Sequence, residues 1–137
     1  MSWKICFPGG GEAAQNGLAK VCAAVASHEG YSPEIGDVIP LTEESDLIIL
    51  ALRQGNACQK GAVDSLAGQA IPGGAGYLIT FRPHPFFEAQ SMILIASETE
   101  EGLLRGCMAF TDEYLPEAAN GLNPFREGFP EKTLVSE

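Results

Sequence analysis

Apolar residues in this chain fall into short unbroken runs, which predict strands, and into sparse sets at helical spacing, which predict helices. Trp3, Ile5 and Phe7 alternate with Lys4 and Cys6, so residues 3–7 predict a first strand, ended by Pro8 and the glycines that follow it. From about Glu12 the period changes. Ala14, Leu18, Val21, Cys22 and Val25 form one apolar face of a helix that Gly30 terminates. Residues 32–40 read as a loop with a short extended piece, DVIP, at 37–40. After a polar turn closing at Asp46, LIILAL at 47–52 contains no polar position and predicts a strand buried on both faces. Residues 55–69 are interrupted by glycine and predict a poor helix at best. Beyond the glycine-rich IPGGAG, residues 77–82 and 91–96 predict two further strands. PHPFFEAQ, between them, is too long for a tight turn and too rich in proline for a helix, so the pair predicts an antiparallel hairpin with a projecting loop.

The stretch SMILIASETEEGLLRGCMAFTDEYLP at 91–116 runs a strand directly into a helix. Ser97 stands three residues before Glu100, the spacing of a capping box. Glu98, Glu100 and Glu101 cluster where the positive end of the helix dipole favours them. Leu103, Leu104, Cys107, Met108, Thr111, Tyr114 and Leu115 form an apolar stripe, and Pro116 closes it. Gly102 and Gly106, four apart, lie on one side of the helix, which suits a side that approaches a sheet closely. Residues 117–137 are rich in Asn, Gly and Pro without a period and read as a linker or docking tail outside a 1–116 domain. Two long helices, each needing burial on one side only, predict a two-layer α+β domain: a mixed sheet of about four or five strands with both helices packed on one face.

The segment ILIASETEEGLLRGCMAF at 93–110 follows the pattern E-x-G-L-L-x-G-x-x-x-F. It resembles the end of the small N-terminal α+β domain that precedes the catalytic barrel in α-glucuronidases, β-hexosaminidases and related glycoside hydrolases. GYLITFRP at 76–83 is similar to the preceding hairpin strand of that domain, and WKICFP at 3–8, followed by a helix, to its opening strand. The resemblance covers about residues 3–116. It implies a non-catalytic accessory domain of the second-domain type of β-hexosaminidases, with the catalytic carboxylates on a barrel that follows in the same polypeptide. That barrel is the partner implied, and Phe125 and Phe129 in the tail are candidates for apolar surface it would cover.

Length and charge agree with this picture. At 137 residues the chain is too short for a (β/α)₈ barrel, which takes about 250. A net charge of −10 with eight scattered basic residues excludes a nucleic-acid binder, which needs clustered Lys and Arg. No apolar run approaches the roughly 20 residues of a membrane span, and residues 1–17 lack a signal-peptide core. The expectation is a soluble, cytoplasmic chain, although a leader removed beforehand would leave the same N-terminus. Cys6, Cys22, Cys58 and Cys107 show no C-x-x-C pair or ligand-like spacing; four reduced thiols are expected, a pair of disulfides being the alternative.

Candidate chemistry is sparse. FPGGGEAAQNG, a strand running through Gly9, Gly10 and Gly11 into a helix, offers the alternative of a small nucleotide- or flavin-binding α/β protein, because glycines admit an anion at a helix N-terminus. It matches neither phosphate-binding fingerprint, and Glu12 stands where the anion would sit. The nucleotide alternative requires the first strand to be central and parallel, with the glycine loop at its C-terminal edge. His28 and His84 are far apart, and nothing has the spacing of a zinc site. Paired carboxylates are the machinery of glycoside hydrolysis. Here Glu43, Glu44 and Asp46 belong to a turn, Glu98, Glu100 and Glu101 to a helix start, and Asp112, Glu113 and Glu117 to a solvated face. No catalytic residue, cofactor or metal is therefore expected. Phe86 and Phe87 are either exposed in the hairpin loop as an interface or sugar-stacking platform, or tucked beneath it. With that loop and the tail as contact surface, a stand-alone interaction module is the remaining alternative.

Overall fold

The computed structural model describes residues 3–7, 9–30, 33–36, 46–52, 76–83, 91–114 and 132–136, with backbone alone at 3, 28–29, 81–83, 91, 113–114 and 132–136. The elements are β1 (Trp3–Cys6), α1 (Glu12–Glu29), β2 (Glu34–Gly36), β3 (Asp46–Leu52), β4 (Tyr77–Pro83), β5 (Ser91–Ser97), α2 (Glu100–Ala109), a π-helical turn continuing it (Phe110–Tyr114) and β6 (Lys132–Ser136). The strands form one six-stranded sheet in the order β2-β1-β3-β5-β4-β6. β1 is parallel to both β2 and β3, β3 is parallel to β5, and β4 is antiparallel to β5 and β6.

The central strands are apolar at nearly every position because both faces of the sheet are buried. Ile48, Leu50 and Leu52 of β3 face one way with Ile5, Ile79, Ile93 and Ile95, and both helices pack on that side. Leu47, Ile49 and Ala51 point the other way with Cys6, Leu78, Met92, Leu94 and Ala96, and are equally buried. Strand alternation sends successive side chains into separate cores, and each fully buried Leu or Ile contributes about 1.5–3 kcal/mol. The predicted two-layer α+β architecture, with both helices on one face, is the observed one.

Three local expectations change. The extended piece within 32–40 is Glu34–Gly36, and 37–40 lies outside the described residues. Lys132–Ser136, assigned from sequence to a linker or docking tail, instead pairs with β4 and brings the sheet to six strands, with Leu134 opposite Ile79. The second helix starts two residues later than the capping box placed it. Ser97 is the last residue of β5, buried, with its hydroxyl donating to the Gly76 carbonyl at 2.7 Å. Thr99 is the N-cap, and its Oγ1 accepts from the Gly102 N–H at 3.0 Å.

α1 follows its predicted face, with Ala14, Val21 and Val25 buried, and ends at Gly30, whose φ of 82° lets its N–H reach the Ala26 carbonyl at 2.9 Å. α2 is rotated relative to its predicted stripe. Gly102, Leu103, Gly106, Cys107 and Ala109 are buried, Leu104 is half-buried, and Met108 is 38 % exposed. The two glycines set this rotation. A Cβ on Gly106 would lie 2.9 Å from Ile95 Cγ2 and 3.1 Å from Tyr77 Cβ, and one on Gly102 would strike Ser97 Oγ and the Gly76 carbonyl. The side read from sequence as suited to close approach is thus the side that meets the sheet.

Candidate functional site

Chemistry-bearing residues converge at the C-terminal edge of the parallel strands, where β1 leaves the sheet. The Phe7 N–H still donates to the Gly36 carbonyl of β2 at 2.8 Å, and the chain then turns through Gly9, whose φ of 123° disfavours any side chain. Gly10 lies so close to α1 that a Cβ there would sit 2.7 Å from Ala14 Cβ. Gly11 is the N-cap of α1 and supplies no side-chain cap. The loop is held to the first turn of the helix by Gln15, whose backbone N–H donates to the Gly11 carbonyl at 3.0 Å and whose Nε2 donates to the Gly10 carbonyl at 3.3 Å.

The topology that a nucleotide site would need is present in part: β1 is parallel to both neighbours and carries the glycine loop at its C-terminal end, but it lies second from the sheet edge and is not central. The anion position is filled from within. Glu100, the first residue of α2, reaches across so that its Oε1 accepts from the Ala14 N–H at 3.4 Å. That contact is long for a hydrogen bond, so the attraction is mainly of a carboxylate for a helix N-terminus. The same carboxylate lies against Gly11, where a Cβ would come within 2.7 Å of Oε1. The glycines that suggested a phosphate cradle admit a carboxylate of the same chain. With Glu12 exposed in the first turn of α1, a phosphate arriving here would meet two negative charges. Sequence reading gave Glu100 to a box with Ser97; nothing local could pair it with Ala14, 86 residues away.

Other acids keep the places their positions suggested, Glu98 half-buried before α2, Glu101 exposed in its first turn and Asp112 exposed beyond its end. Asp46 differs: it opens β3 and is fully buried. Among the described residues no group of three or more His, Cys, Asp or Glu could hold a metal ion. Cys22 and Cys107 are free thiols. Burial pushes the Cys107 thiol up to about 12, with Cys22 adding a smaller push, and burial also raises Cys22. A thiol held protonated in this way is a core group and a poor nucleophile.

A second feature had no signal in the sequence. Tyr77, Arg105, Met108, Ala109 and Asp112 line a shallow depression of about 290 Å³ on the outer side of α2. The Arg105 guanidinium carbon stands 6.0 Å from the centroid of the Tyr77 ring, at the outer limit of a cation–π contact. Phe86, Phe87, Phe125 and Phe129, the interface candidates, lie outside the described residues, as do Cys58 and His84. His28 falls in the last turn of α1. Among the described residues no helix is long and apolar enough to cross a membrane.

No family model matches the chain, and no curated protein matches it. Among solved structures it is similar to CpGH84D, a glycoside hydrolase family 84 protein, with a TM-score of 0.62 and 13 % sequence identity over 87 % of this chain. At that identity the likeness is one of fold, and this chain spans 18 % of the length of CpGH84D.

Proposed function

We propose that this chain is a non-catalytic α+β domain of a carbohydrate-active enzyme, of the kind that precedes the barrel in α-glucuronidases and β-hexosaminidases. Its partner would be a catalytic barrel in the same polypeptide. The observation that carries the reading is the fold-level match of 87 % of the chain to 18 % of a glycoside hydrolase. The motif at 93–110 supports it independently, since its glycines and Leu103 are the residues that seat α2 on the sheet. The acids support a non-catalytic role: Glu100 caps α1, and Glu98 and Glu101 flank the start of α2. Because β6 completes the sheet, the proposed domain runs through Ser136. Free thiols at Cys22 and Cys107 favour a reducing, cytoplasmic setting.

The experiment is an assay of the purified chain against aryl glycosides of several sugars, glucuronides included. No turnover is expected. Turnover that persists through purification and vanishes in Glu98→Gln or Glu100→Gln would overturn the non-catalytic reading.

A further inference from the structure

We draw no further inference here: the strongest candidate, the shallow depression on the outer side of α2 lined by Tyr77, Arg105, Met108, Ala109 and Asp112, has nothing in the structure to show what covers it.

Discussion

Gly102 shows how much one absent side chain can decide. A methyl group there would run into the Ser97 hydroxyl and the Gly76 carbonyl, which already hydrogen-bond to each other, so neither can withdraw without breaking that bond. Gly102→Ala is expected to destabilise the domain by about 1–3 kcal/mol through overpacking. At Gly30 nothing lies within 4 Å of an added Cβ, and only the φ of 82° opposes a side chain, so Gly30→Ala is expected to cost about 1–2 kcal/mol from backbone strain alone. Crystal structures of the two variants separate the causes: Gly102→Ala should displace α2 from β5, whereas Gly30→Ala should leave the helices in place. An undisplaced α2 in a fully stable Gly102→Ala protein would show that the close approach is not required. Cys107 makes a different prediction. Its thiol stays protonated in the fold up to about pH 12, against an ordinary value of 9.0. The unfolded chain therefore loses this proton first, so the associated stability is complete below pH 9 and falls as pH rises from 9 towards 12. Urea midpoints measured from pH 7 to 11 should decline less steeply in Cys107→Ala than in the parent; parallel declines would contradict the assignment. The sequence disclosed all three residues in part, Gly102 by its four-residue spacing from Gly106, Gly30 by its place at the end of a helical pattern, and Cys107 by its place in an apolar stripe. Glu100 stayed hidden because its partner is 86 residues away and belongs to another helix.

Elements were legible in proportion to how much of their own burial they carry. β3, β4 and β5 lie inside the sheet, and their runs are apolar enough to be read as strands, Thr80 being a buried β-branched exception within β4. β2, three residues long and exposed, and β6, a five-residue strand at the opposite edge, are strands by virtue of the neighbours they pair with, and their own patterns are too short to say so. α2 was found with the wrong rotation. A hydrophobic stripe scores large side chains, and this helix meets the sheet through Gly102 and Gly106, which have none. The corrected rotation puts Leu103 in the core at full burial and Leu104 on the flank, its Cα 3.4 Å from where a Cβ on Gly17 would stand. Leu103→Ala is expected to cost about 2–5 kcal/mol, as for buried leucines generally, and Leu104→Ala about 1 kcal/mol. Denaturant titration of the two variants checks this, and equal losses would mean that the helix is turned as the stripe alone suggested.

For the whole molecule, two ideas competed at the glycine loop, a phosphate cradle and a turn serving the fold. The strand arrangement meets the first only in part, with β1 parallel but not central, the helix N-terminus it would use is held by Glu100, and a net charge of −10 repels a further anion. The acids of this edge thus serve helix ends. Function could be read from the sequence only through the resemblance at 93–110, because no motif in the chain has the spacing of a known catalytic, metal or phosphate site. The fold adds a likeness to about a fifth of a glycoside hydrolase chain, 18 % of its length, and the account rests on taking that part-to-whole relation as this protein's own. The most direct measurement is to sequence the transcript downstream of the codon for Glu137. The account predicts that the reading frame continues into a (β/α)₈ barrel with a pair of carboxylates at the C-terminal ends of its strands. A stop codon immediately after Glu137, with no barrel in the same polypeptide, would contradict it.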